Sequence, residues 1–269
     1  MKRSEHMPRV LSLHTEVSGD GAFPVILLHG LFGSASNLMA VARSLAADYK
    51  VIRMDLRNHG KSPHSDIMDI PTMAEDVLAT MDTLGVQQAH ILGHSLGGKV
   101  AMQVAVTAPD RVSRLVVADI APVRYGRGHD EIITALLGMD LRALRSREQA
   151  DNLLQTAVPE LAIRQFLLKN IVRDGKDAWA WRMNLPVIAD CYDNLRDAPS
   201  AEPFAGPTLF IRGELSKYIR DENRVPMQRQ FPQMALLTIA GAGHWLHAEY
   251  PQIFNAMVAD FLAADNAQV

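Results

Sequence analysis

Residues 24–28 are apolar at every position, without the alternation of a strand that wets one face. That is the pattern of a strand covered on both sides. Further strands are read at 50–55, 89–93 and 114–120. Between these runs, apolar residues recur at helical spacing over about 36–46, 72–84 and 97–108. Thr72, with Glu75 three residues on, reads as an N-cap, and Gly85 stops that helix. Ahead of them, 10–14 alternates weakly and Ser18-Gly19-Asp20-Gly21 turns the chain. The order β-α-β-α-β-α-β predicts a parallel sheet with helices on both faces.

After Pro122 the rhythm breaks. Residues 123–205 carry helix-like patterns at 132–144, 148–156 and 161–172, and no clear buried strand. The βα alternation resumes at 207–212, continues at 234–240 and ends in a helix over about 251–264. The expectation is an α/β fold, with a mostly parallel central sheet flanked by helices. Residues 1–122 and 206–269 form the core, and 123–205 a helical cap inserted before the strand at 207–212. Such an insertion lies over the carboxyl edge of the sheet, where α/β ligands bind. Phe166, Trp179 and Trp181 suit a cap better than surface padding.

Composition narrows the function. The 269 residues carry 27 Lys and Arg against 30 Asp and Glu, with no basic tract. That excludes the electrostatic footprint of a nucleic-acid binder. A single cysteine, Cys191, rules out an internal disulfide and fits a reducing compartment. No signal-peptide pattern opens the sequence, and the apolar runs are far short of the ~20 residues that span a bilayer. A cytoplasmic protein without membrane insertion is expected, of open oligomeric state.

Gly93-His94-Ser95-Leu96-Gly97 sits after a buried strand and before a helix. A sharp strand-to-helix turn needs the glycines for its backbone angles and close packing, and it exposes the Ser95 hydroxyl at the top of the sheet. The helix N-terminus beneath favours an oxyanion. Ser95 is therefore the candidate nucleophile. Among ten histidines, His244 stands out, between the last strand and the last helix, where the base falls in this chain order. His247, spaced from Glu249, reads as a helix-start or surface residue. His14, His64 and His129 fall in surface or loop segments, and His29 and His94 adjoin strand ends. The acid is harder to place. The loop after 207–212 reads Gly213-Glu214-Leu215-Ser216, with serine at the expected aspartate position. Asp119, at the end of 114–120, is preferred, with Glu214 as the alternative. The backbone N–H groups of Leu31 and Leu96 would form the oxyanion hole, with Phe32 as the fallback. The stretch from Asp55 to Ser62 suits a structured turn beneath the site, without chemistry of its own.

Several segments carry a family resemblance. His29-Gly-Leu-Phe-Gly-Ser34, Arg57-Asn-His-Gly60, Gly93-His-Ser-Leu-Gly-Gly-Lys99 and Asp119-Ile-Ala-Pro-Val123 are among them. So are His129-Asp-Glu-Ile132, Asn184-Leu-Pro-Val187 and Ala240-Gly-Ala-Gly-His-Trp245. Together they resemble the α/β-hydrolase superfamily and, within it, the bacterial YbfF-type esterases. The resemblance implies hydrolysis of small-molecule acyl esters or thioesters, acyl-CoA among them, with no cofactor and no metal. It also implies Asp119 as the acid. A dehalogenase or epoxide hydrolase would need aspartate at position 95. A C–C bond hydrolase, a haloperoxidase-like enzyme and a non-catalytic binding protein of the same fold stay open as alternatives.

Overall fold

The computed structural model describes residues 10–175, 178–200 and 202–264, so the outermost ends of the expected core lie outside it. Among these residues, seven strands form one sheet. They are β1 (Thr15–Ser18), β2 (Pro24–Leu28), β3 (Lys50–Met54), β4 (Ala89–His94), β5 (Val112–Ala118), β8 (Thr208–Gly213) and β9 (Met234–Ile239). Their spatial order is β1-β3-β2-β4-β5-β8-β9. β1 runs antiparallel to β3 and every other pair is parallel. The central strands are covered on both sides, with Ile26, Leu28, Ile91 and Val117 buried on one face and Leu27, Leu92 and Val116 on the other.

Helices α1 (Met39–Leu45), α2 (Ile70–Thr83), α3 (Leu96–Thr107), α9 (Arg224–Gln230), α10 (Leu246–Glu249) and α11 (Pro251–Ala263) accompany the sheet. Two expectations are corrected here. The weakly alternating residues 10–14 are no strand: the Leu11 and Leu13 N–H groups donate to Asp76 Oδ1 (2.7 Å) and Thr80 Oγ1 (2.9 Å) on α2 instead of a ladder. The N-cap of α2 is Asp69, whose carboxylate accepts from the Thr72 N–H at 2.7 Å. Thr72 lies inside the first turn, because Pro71 tolerates the first turn and lets the helix start earlier.

Between β5 and β8 the chain forms α4 (Asp130–Leu137), α5 (Arg147–Leu154) and α6 (Leu161–Leu168). Then come a hairpin of β6 (Ile171–Asp174) and β7 (Ala178–Trp181), and α7 (Leu185–Asp190) and α8 (Tyr192–Leu195). The helices expected at 132–144 and 161–172 are both shorter, since Gly138 C-caps α4 and the chain turns at Lys169-Asn170 into the hairpin. The apolar side chains of this stretch, Leu136, Ile188 and Tyr192 among them, join the same buried cluster as Phe32, Leu96 and Ile120. No helix among the described residues is long and apolar enough to cross a membrane.

Candidate active site

Ser95 follows β4 directly and has φ 54° and ψ −119°. A non-glycine residue held at positive φ costs of order 1–3 kcal/mol and persists only where its surroundings enforce it. Here the enforcement is visible. The Ser95 N–H donates to the Ala118 carbonyl on β5 at 3.0 Å, and the Ser95 carbonyl accepts from the Gly98 N–H at 2.8 Å. A Cβ on Gly93 would lie 2.1 Å from the Gly97 carbonyl oxygen, and one on Gly97 would lie 2.3 Å from that of Leu28. Only glycine fits at either position, so the turn can be this tight.

The parallel register sets the next residue. Ala118 of β5 lies beside His94 of β4 and Ile211 of β8, so Asp119 emerges at the same sheet edge as Ser95. Its backbone is also left-handed, with φ 52°, and its side chain is wholly buried. His244, in the loop between β9 and α10, brings Nδ1 to 2.7 Å from Asp119 Oδ2. A carboxylate at that distance keeps the proton on Nδ1 and leaves Nε2 as the basic nitrogen. Asp119 also accepts from the Gly213 N–H at 3.2 Å, through Oδ1, and from the Ser216 hydroxyl, through Oδ2. Those donors compensate the burial of its charge.

The other carboxylate does something else. Glu214 Oε2 accepts from the Gly241 N–H at 2.8 Å and so braces the histidine loop from below. The imidazole is held from two further sides. Tyr218 stacks on it with ring centroids 4.0 Å apart, and His94 Nε2 donates to the His244 carbonyl at 2.8 Å. His247 starts α10 as expected but is no surface residue. It is buried with its ring 4.5 Å from that of His94, and burial with the nearby His244 pushes its pKa down to about 4. His247 is thus a neutral packing group.

The loop after β2 supplies the backbone donors. Phe32 has φ 60°, and its N–H is given to His59 Nε2 at 3.2 Å. That removes Phe32 as the fallback oxyanion donor. Its carbonyl accepts from Asn170 Nδ2 at 2.7 Å. Among the described residues neither the Leu31 nor the Leu96 N–H has an intramolecular acceptor; Leu31 lines both cavities over Ser95 and Leu96 one of them. Burial and the neighbouring His29 push the His59 pKa down to about 3. Its Nε2 lone pair therefore stays available to Phe32, while Nδ1 donates to the Arg57 carbonyl at 2.9 Å. The turn from Asp55 to Ser62 is structured as expected, yet it also anchors this loop.

Two cavities open above Ser95. The larger, about 660 Å³, is walled by Phe32, Leu38, Ile132, Ile163, Phe166 and Trp245. The smaller, about 390 Å³, runs the other way along α3 beneath Tyr125, Tyr192 and Tyr218. Leu31, Ser95, His129 and Tyr218 border both. His129 lies in the loop before α4, as expected, but is half-buried and not at the surface. Its Nδ1 lies 2.7 Å from the Tyr192 hydroxyl, and burial pushes its pKa down to about 4. Sequence reasoning missed His59, Asn170, Tyr218 and the part played by His129. The local signals were the Arg57-Asn-His-Gly60 and His129-Asp-Glu-Ile132 motifs.

Residues 24–251 match the α/β hydrolase fold family. Esterase YbfF of Escherichia coli (strain K12) is 42% identical over 229 residues, covering 85% of this chain and 88% of its own. The sn-1-specific diacylglycerol lipase ABHD11 of Mus musculus is 38% identical, covering 92% of this chain and 83% of its own. The solved structure of a marine microorganism esterase matches with a TM-score of 0.91 at 37% identity, over 93% of this chain and 99% of that one. The chain belongs to the α/β hydrolase fold family, among relatives that are esterases and lipases.

Proposed function

We propose that the protein is a serine hydrolase that cleaves small-molecule carboxylic esters or thioesters through an acyl-enzyme. Ser95 Oγ attacks the carbonyl carbon while His244 Nε2 takes its proton. The resulting oxyanion is held by the Leu31 and Leu96 N–H groups. His244 then protonates the leaving alcohol or thiol as the C–O or C–S bond breaks. Water attacks the acyl-Ser95 carbonyl with its proton passing to His244, and collapse releases the acid and restores the serine. Asp119 fixes the imidazole tautomer and stabilises the imidazolium without itself taking a proton.

The observation that carries this reading is the 2.7 Å bond between His244 Nδ1 and the buried Asp119, next to a serine held at positive φ. The apolar walls of the larger cavity suit an acyl chain, and residues 123–205 then act as its cap. Every step uses groups of the chain and water, in an enzyme we read as cytoplasmic. Initial rates on p-nitrophenyl butyrate test the proposal. Ser95→Ala is expected to lose on the order of 10⁶ in kcat, and a variant with wild-type rates would overturn the assignment.

A further inference from the structure

The two cavities over Ser95 differ in charge. In the wall of the larger, Lys169 is matched by Glu249. The smaller is lined by Lys99, Arg127, Arg196, Lys217 and Arg220, and by no carboxylate. Arg127 and Arg196 are paired from outside the wall with Asp130 and Asp193, which leaves three cations to account for. Lys99 is buried, and its three N–H bonds go to the carbonyls of Val123 (3.2 Å), Arg196 (2.6 Å) and Asp197 (2.5 Å). Carbonyls satisfy its hydrogens without cancelling its charge. At the mouth, Arg220 donates its Nε–H to the Lys217 carbonyl at 3.1 Å, and its one ion pair among the described residues is with the exposed Glu222 at 3.5 Å, a pairing that water screens. Among the described residues Lys217 has no ion-pair partner.

We propose that this smaller cavity is a subsite for a negatively charged arm of the substrate, a carboxylate, sulfonate or phosphate on one side of the scissile bond. Lys217 and Arg220 contact the anion at the mouth, and the Lys99 ammonium adds an uncompensated charge behind it. The proposal rests on Ser95 being the nucleophile, since Ser95 is what joins this cavity to the reaction. Burial, and after it the nearby Arg124 and Arg196, push the Lys99 pKa down to about 7. An anion bound in the cavity would oppose that shift and hold the ammonium charged.

Three chromogenic esters test the subsite. They are p-nitrophenyl hexanoate (neutral), mono-p-nitrophenyl adipate (anion on the acyl arm) and 4-hexanoyloxy-3-nitrobenzenesulfonate (anion on the leaving arm). In the wild type, one of the anionic esters is expected to exceed the neutral one in kcat/KM by about tenfold or more, the weight of a charge-assisted hydrogen bond. The ester that does so identifies the arm. That preference is expected to fall about tenfold in Lys217→Met/Arg220→Met and to shrink with added salt. It should persist in Lys50→Met, which removes a charge at the opposite edge of the sheet. A wild type that treats the three esters alike, or a double variant that keeps the preference, would overturn the subsite. Wild-type rates on the neutral ester in Ser95→Ala would instead overturn the hydrolase reading.

Discussion

The carboxyl ends of β5 and β8 lie side by side in the sheet, with Ala118 beside Ile211, yet they serve the histidine loop differently. β5 ends in Asp119, which meets the imidazole itself. β8 runs into Glu214 and Ser216: the glutamate braces the Gly241 backbone, and the serine donates its hydroxyl to Asp119. A parallel register brings both ends within reach of one imidazole, so the acid can stand on either strand. What distinguishes them is backbone direction. Asp119 is turned back towards the loop by its left-handed φ of 52°, and the neighbouring strand then needs only to donate hydrogen bonds to it.

The contrast can be broken from either side, in a graded series. Asp119→Asn should cost about 10⁴ in kcat, because an amide in that place no longer enforces the Nδ1–H tautomer. Ester turnover, with circular dichroism to confirm folding, measures it. Ser216→Ala removes one charge-assisted hydrogen bond from the carboxylate and should cost about tenfold in kcat/KM. Glu214→Gln keeps an acceptor for the Gly241 N–H, so turnover should stay within about threefold of the wild type. A larger fall in Glu214→Gln than in Asp119→Asn would reverse the comparison.

How far this arrangement can be read from the residues alone depends on whether the signal is local. β2, β4 and β5 are legible because burial on both faces leaves apolar stretches without alternation, Pro24–Leu28, Ile91-Leu92 and Leu115–Ala118. The hairpin of β6 and β7 is not: each strand has only four residues, three of the eight are exposed, and the tryptophans read equally well as packing for helices. Ser95 and His244 are marked by glycines and by chain order. Asp119 is legible from its place at the end of a strand, with serine in the place after β8, and from the family resemblance of Asp119-Ile-Ala-Pro-Val123. Tyr218 and Asn170 carry no local mark. Asn170 reaches the Phe32 carbonyl across 138 residues of sequence, and Tyr218 acts through a stacked ring.

The oxyanion loop follows the same logic. His59 and Asn170 hold the N–H and the carbonyl of Phe32, which in the proposed mechanism leaves the adjoining Leu31 N–H for the oxyanion. Positioning there depends on the neutral state of His59, which burial secures.

The central claim is that Asp119, through His244, activates Ser95. Labelling by a fluorophosphonate tests it most directly, because that reaction needs the activated hydroxyl and no knowledge of the natural substrate. Wild-type protein and Glu214→Gln are expected to label at equal rates on the peptide containing Ser95, and Asp119→Asn about a thousandfold or more slower, in line with its loss of the histidine tautomer. Equal labelling of Asp119→Asn and wild type, or an adduct on any residue other than Ser95, would contradict the account.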